Sequence, residues 1–301
     1  MNGQRSFIDD LKHQYRHGGA SIRLLFINVG VFLLINLLLV FGRLANSPAM
    51  SAYLGEIFAL ETDIPSFITH PWGLFTSLFA HFSFFHLLFN MVFLYFVGRV
   101  FEQLFDQKRL YYTYFVGGIF GGLFEILAHL IFPILQESNT VIVGASGSIM
   151  AIFFAVAFHR PNMKVNLFGL LPIRIIFVAG AFLLLDFLNL GRDDGTAHFA
   201  HLGGAILGML SVQNLHSSGN IITIIQMFGD RVQRIFSRSG KSKLKVKKGN
   251  NARYQTDEEY NSTKKQKQEE IDRILDKISK SGYDSLTKRE KDFLFNQSKN
   301  G

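Results

Sequence analysis

Cysteine is absent from all 301 residues, so disulfides and Cys-ligated metal sites are excluded from the outset. Charge is sparse too. Only 18% of residues are Asp, Glu, Lys or Arg, and the long apolar stretches hold little of it. A basic C-terminal region exists, but no aromatic or recognition pattern accompanies it, so nucleic-acid binding is not expected. No corresponding broken hydrophobic segments recur in inverted halves, which argues against a transporter.

What is present is apolar surface: 48% of residues are hydrophobic and 32 are Phe. They gather in runs of membrane-span length rather than in short amphipathic patterns. Six runs are expected to span, at about 24–41, 78–98, 111–132, 142–158, 173–190 and 197–213. The polar segment 1–23 is long for a signal peptide, so the first run is read as a retained span. The aromatic-rich connection 43–75 is expected in the membrane interface. Arg5, Arg23, Arg99, Lys108, Arg109, Arg160, Lys164 and the basic tail fall on one side, and Arg43, Glu56, Glu61, Asp63 and Arg192 on the other. The Lys/Arg-rich side is cytoplasmic. The expectation is an all-α, polytopic six-helix bundle with both termini in the cytoplasm, in a bacterial inner membrane. The domain reading is a cytoplasmic segment 1–23, a bundle 24–213, an interfacial helix and basic linker 214–254, and a small cytoplasmic hairpin 255–301.

Polar and reactive groups at membrane depth are functional candidates by default. Ser146, in Gly144-Ala145-Ser146-Gly147, opens the fourth run, and His201, in Ala200-His201-Leu202-Gly203-Gly204, opens the sixth. His86 and Asn90 lie early in the second. These runs all cross from outside to inside, so the four residues share a depth within roughly 15 Å of the outer surface. A serine hydroxyl needs a base to take its proton, and an imidazole with an ordinary pKa near 6.5 serves at neutral pH. The rate of such chemistry is expected to rise as His201 loses its proton. Gly144 and Gly147 bare the backbone around Ser146, and a helix N-terminus there suits a developing oxyanion. His86 and Asn90, spaced i, i+4, share a helix face and both donate hydrogen bonds. Gly204 and Gly208 lie near the face of His201 and form a small-residue strip for close helix packing.

Packing alone would explain an isolated Gly-Ala-Ser-Gly, and polar helix contacts would explain His86 and Asn90; the common depth favours chemistry. Apart from Asp186, no acid sits where it can orient His201, and the pair is read as a Ser-His dyad. His81 and Ser83 are read as structural groups satisfied by water. Glu125, His129 and Asp186 are expected to pair within the bundle rather than to act in catalysis, Asp186 being the one to check. Arg99 and Glu102 are expected to form a tie at the inner boundary, and Phe177, Phe182 and Phe187 to face lipid, with a bulky lateral gate beside the site as the alternative. The overlapping small-residue spacing of Gly117, Gly118, Gly121 and Gly122 indicates helix packing.

The segments His81-Phe82-Ser83-Phe84-Phe85-His86-Leu87-Leu88-Phe89-Asn90, Gly144-Ala145-Ser146-Gly147 and Ala200-His201-Leu202-Gly203-Gly204-Ala205-Ile206-Leu207-Gly208 resemble the motif set of rhomboid intramembrane serine proteases in order, spacing and host helices. The resemblance covers about residues 24–213. It implies a six-helix bundle with a water-filled cavity open to the outside. Ser146 would be the nucleophile and His201 the general base and acid, with His86, Asn90 and the Ser146 backbone N–H stabilising the oxyanion. The implied substrates are single-span membrane proteins, with neither cofactor nor metal. The alternative is a catalytically silent rhomboid-like protein that binds and escorts membrane clients. Two departures stand out: Met150 occupies a position where some members carry a Tyr that packs on the histidine, and Pro71-Trp72-Gly73 replaces a frequent Trp-Arg pair.

Beyond the bundle, apolar residues from Ile221 to Phe236 alternate with polar ones and suggest an interfacial helix. Arg238, Lys241, Lys243, Lys245, Lys247, Lys248 and Arg253 then form a basic run. It is expected to bind an anionic inner leaflet at about 1 kcal/mol per residue. Ile271, Ile274, Leu275 and Ile278 fall at helical spacing, Gly282 is placed to end that helix, and Thr287 with Glu290 reads as a capping box. This hairpin is similar to one appended to rhomboids of some Gram-negative anaerobes, and a docking or regulatory role is expected of it.

Overall fold

The computed structural model describes residues 6–136, 141–167, 171–192, 194–215, 217–237 and 257–298. They fall into two compact units, Met1–Ser239 and Gly240–Gly301.

In the first unit, a polar helix α1 (Phe7–His17) ends at Gly18, and Gly19 at φ +85° turns the chain into α2 (Gly19–Leu44). Ser21 Oγ donates to Glu102 Oε2 at 2.6 Å, and Glu102 Oε1 takes the backbone N–H of Ala20. The expected boundary tie at Glu102 is therefore an N-terminal cap on α2 rather than a pair with Arg99, whose guanidinium reaches the Gly18 carbonyl. The 43–75 connection folds into α3 (Ala49–Phe58), β1 (Leu60–Glu61), α4 (Ile64–Thr69) and α5 (Gly73–Thr76). Asp63 caps α4 by accepting from the Ser66 N–H at 3.0 Å. The indole of Trp72 donates to the Glu56 carbonyl at 3.1 Å, and Gly73 packs its bare backbone on Ala59 and Leu60, so the Pro-Trp-Gly motif anchors this loop through both.

Next come α6 (Phe84–Leu104), α7 (Gln107–Ile131), α8 (Pro133–Gln136), β2 (Val141–Ile142), α9 (Ser146–His159), β3 (Lys164–Leu167), β4 (Leu171–Arg174), α10 (Ile175–Leu188), α11 (His198–Ser211) and α12 (Ile221–Ser237). The architecture is mostly helical, but the all-α expectation needs correcting in two connections. β1 pairs antiparallel with β2, and β3 pairs antiparallel with β4. The first pairing matters for function because Leu60 opposite Ile142 fixes the strand that leads into Gly144.

Three helices, α2, α6 and α7, are long and apolar enough to cross a membrane. The remaining runs yield helices of 14 residues each, α9, α10 and α11. That is about 21 Å at 1.5 Å per residue, against about 30 Å of bilayer hydrocarbon. Their ends are consumed by other structure: β2 and the Gly144 turn before α9, β4 before α10, and an Ala197 backbone outside the helical region before α11. Spanning length thus holds for three of the six expected crossings among the described residues.

The core surrounds α9, where every residue from Gly147 to Ala157 is buried. A helix apolar on all sides belongs inside protein rather than against a solvent face. It packs on α6, α7 and α11. Bare backbone allows this closeness: a Cβ on Gly117 would strike Ala151, and one on Gly118 would strike Ser148 and Leu78. α10 is peripheral, with Ile175, Ala179 and Asp186 its buried residues and Phe177, Leu184, Leu185 and Phe187 exposed.

The second unit is a helical hairpin, α13 (Asp257–Ser281) and α14 (Lys288–Ser298). Gly282, at φ +77°, ends α13 where expected. The capping box forms: the Thr287 N–H donates to Glu290 at 2.7 Å, and the Glu290 N–H donates back to Thr287 Oγ1 at 3.4 Å. Ile274 and Leu286 are buried. The basic run of 238–253 lies outside the described residues.

Candidate active site

Ser146 is the first residue of α9, following Gly144 at φ +115°. The Gly144 N–H donates to the Ser77 carbonyl at 2.9 Å, which holds the turn against the segment before α6. This places Ser146 at a helix N-terminus, where unpaired N–H groups and the positive dipole end favour a developing anion.

His201 sits in the first turn of α11. Glu125, buried in α7, fixes that turn by accepting the Ala200 N–H at 2.8 Å. Its other oxygen lies 3.6 Å from His129, so the expected intrabundle pairing is accompanied by a capping role. A Cβ on Gly204 would collide with the Gly147 carbonyl, and one on Gly208 with the Ala151 carbonyl. At these two positions α11 and α9 therefore meet backbone to backbone.

Ser146, His201, His86 and Asn90 all line one cavity of about 910 Å³, together with Met150, Asp186 and His198. The expected common depth becomes a common wall. Among the described hydrogen bonds none joins Ser146 to His201, although Gly147 and Ala200 beside them are close enough that a Gly147 Cβ would lie 3.3 Å from the Ala200 carbonyl. Catalytic hydrogen bonds often tighten only when substrate is bound. His86 faces Gly144 so closely that a Cβ there would lie 2.6 Å from its ring. Asn90 is buried, and its amide donates to His81 Nε2 at 3.2 Å.

His81 departs from the expectation that water would satisfy it. It is fully buried, and Nδ1 lies 3.3 Å from the Phe79 carbonyl. Nε2 accepts from Asn90, so Nδ1 carries the proton and donates to Phe79. The ring thereby orients the Asn90 amide, which keeps a second N–H to offer elsewhere. Phe182 is 38% exposed and also lines the cavity, stacking on Phe93 with ring centroids 5.5 Å apart. Phe177 and Phe187 are exposed as expected.

The residue that sequence reasoning missed is His198. Its Nδ1 lies 2.7 Å from Asp186 Oδ1, and the same oxygen lies 3.0 Å from His201 Nδ1. His198 Nε2 lies 3.2 Å from Asp194 Oδ2. Burial pushes Asp194 up, but hydrogen bonds from His198 and the Thr196 N–H hold it below the ordinary carboxylate range. The available signal was the i, i+3 spacing of His198 and His201, which puts both rings on one helix face. Asp186, the one acid singled out at this depth, thus lies within hydrogen-bond distance of His201. Asp186, His198 and His201 also offer metal-type donor atoms within 4.8 Å of one another. The 2.7 and 3.0 Å separations are hydrogen-bond lengths, shorter than the roughly 3.3 Å ligand-to-ligand edge of a tetrahedral zinc site with about 2.0–2.1 Å bonds.

Residues 69–218 match the family model described as the Rhomboid domain, and residues 254–300 match a family of unknown function, DUF6576. Presenilin-associated rhomboid-like protein A, mitochondrial, of Danio rerio is 30% identical over 167 residues, covering 54% of this chain and 41% of that protein. RHOMBOID-like protein 12, mitochondrial, of Arabidopsis thaliana is 28% identical over 150 residues, covering 46% of this chain and 44% of that protein. The matched stretches span less than half the length of either relative.

Proposed function

We propose that this chain, which carries a rhomboid domain over residues 69–218, is an intramembrane serine endopeptidase that cleaves transmembrane segments of membrane proteins. The observation that supports it most is the single cavity wall shared by Ser146, His201, His86 and Asn90. Ser146 Oγ attacks the scissile carbonyl carbon while its proton passes to His201 Nε2. The carbonyl oxygen becomes an oxyanion, met by the Ser146 N–H and by the side chains of His86 and Asn90. Collapse breaks the C–N bond, and the leaving amine takes the proton from His201. Water then attacks the acyl-enzyme with His201 again as base, releasing the carboxylate and restoring Ser146.

In this reading Gly144 and Gly147 bare the backbone for the substrate, and Gly204 and Gly208 keep α11 against α9. The bundle occupies residues 24–213, with both termini cytoplasmic and α12 lying on the inner leaflet. Its short helices α9, α10 and α11 complete the six crossings, α9 within protein and α10 with one apolar face toward lipid. The expectation of a bacterial inner membrane gains no support from the relatives, both of which are named as mitochondrial. Proteolysis by the purified chain in lipid vesicles of a reporter carrying one transmembrane segment tests the proposal. Ser146→Ala is expected to abolish cleavage. Undiminished cleavage by that variant would refute the assignment, and no cleavage by the unaltered chain while it binds the reporter would favour a silent escort protein.

A further inference from the structure

We infer that Asp186, pinned by His198, which Asp194 holds in turn, is a positioning residue that fixes the proton on His201 Nδ1 and so keeps His201 Nε2 free to act as the base. The inference rests on the proposed protease chemistry and deepens it. A carboxylate oxygen only accepts, so both Nδ1 atoms that face Asp186 Oδ1, at 2.7 and 3.0 Å, carry protons. His198 Nε2 faces a second carboxylate, Asp194 Oδ2, at 3.2 Å, and must carry a proton too. His198 is therefore an imidazolium held between two carboxylates, and His201 is held in its Nδ1–H form.

The second histidine decides what Asp186 does. His198 supplies a charge that offsets the Asp186 carboxylate, so the bond from His201 Nδ1 to Asp186 serves to orient the ring. The relay runs from the cavity through His201, Asp186 and His198 to Asp194, whose side chain is 43% exposed. Other titratable and charged groups surround it: Glu125 and His129 on α7, His86 on α6, and Arg192 in the loop after α10.

A purely structural reading competes. α10 has few buried residues, and Asp186 is the one that clips its end to α11. A clip needs a hydrogen bond; the relay needs a particular tautomer. Nitrogen NMR of the full-length Ser146→Ala chain, labelled with [15N]histidine, separates the two without relying on proteolysis. The expected spectrum shows His201 protonated on Nδ1 and bare on Nε2, with His198 protonated on both nitrogens at neutral pH. Adding Asp186→Asn is expected to abolish the His201 preference. In the otherwise unaltered chain, Asp186→Asn is expected to lower kcat by up to about 10⁴-fold with KM within about twofold, the scale on which a wrong histidine tautomer acts in Ser-His-Asp enzymes. A His201 spectrum indifferent to Asp186→Asn overturns the inference, whatever the cleavage rate. So does tight binding of Zn2+ alone that shifts both histidines together. Should Asp186→Asn fail to fold, Asp194→Asn on the exposed loop is expected to strip one proton from His198, and an unchanged His198 signal is equally fatal. Cleavage surviving Ser146→Ala defeats the protease reading while leaving the tautomer result to stand or fall by itself.

Discussion

Gly144 meets two demands that no other residue type meets together. Its φ of +115° lies where side chains are strained, and a Cβ there would sit 2.6 Å from the His86 ring. Gly144→Ala is expected to cost about 1–3 kcal/mol of backbone strain and to push His86 off the cavity wall. Its signature is a lowered melting temperature together with a kcat loss larger than the stability loss alone explains. In the proposed mechanism Asn90→Ala removes an oxyanion donor, and kcat is expected to fall about 10²–10³-fold. His81 touches no substrate in this reading, yet it aims the Asn90 amide through the 3.2 Å contact. His81→Leu is therefore expected to give a smaller kcat loss in the same steady-state assay, and once Asn90 is Ala only the small remainder that passes through its longer 3.5 Å contact with the Ala145 N–H. A full additional loss in the double variant would show that His81 acts on something other than Asn90.

Between elements, the contact that counts is α9 against α11. A side chain at Gly204 or Gly208 would run into a backbone carbonyl, which cannot rotate away, whereas a Cβ at Gly180 on α10 would meet nothing within 4 Å. Gly204→Ala and Gly208→Ala are expected to destabilise by about 1–3 kcal/mol through overpacking and to separate Ser146 from His201. Gly180→Ala is expected to leave melting temperature and cleavage unchanged. Equal behaviour of the three variants would mean that the close approach is not what holds the site. This approach was legible beforehand, because spacing along one helix face needs no knowledge of what lies between helices. The gathering of Ser146, His201, His86 and Asn90 was legible from their like positions early in the second, fourth and sixth runs. Helix length was not, since β2 and β4 consume residues whose apolar character alone marks them as span. Nor was the bond from Asp186 to His198. It depends on how the end of α10 meets the start of α11, and hydrophobic periodicity is silent about that meeting. His81 was misplaced because burial near a helix start depends on what the preceding loop covers.

At the scale of the whole chain, two units obey different physics. The first buries polar groups inside a largely apolar surface, while the second is a small water-type hairpin whose stability leans on its connection. Glu290 holds that connection: it accepts from the Thr287 N–H at 2.7 Å, from Thr287 Oγ1 at 2.9 Å and from Lys277 Nζ at 3.0 Å. The Thr287 backbone bond, followed by the Lys277 and Thr287 side-chain bonds, lowers its pKa from 4.5 to about 2. A carboxyl whose folded pKa is depressed stabilises fully above its unfolded value and loses that contribution as pH falls through the folded one. The start of α14 is therefore expected to hold at pH 5 and above, and to loosen progressively between about 4.5 and about 2. Amide exchange in the first turn of α14, followed in the full chain and corrected for intrinsic rates, measures this directly. In Glu290→Gln the charge is gone at every pH, so protection there is expected to be lower at neutral pH and nearly flat across the window. If the two proteins trace parallel curves from pH 5 to 2, the capping box is not what ties α14 to the end of α13, and the buried contacts of Ile274 and Leu286 must carry the hairpin without it.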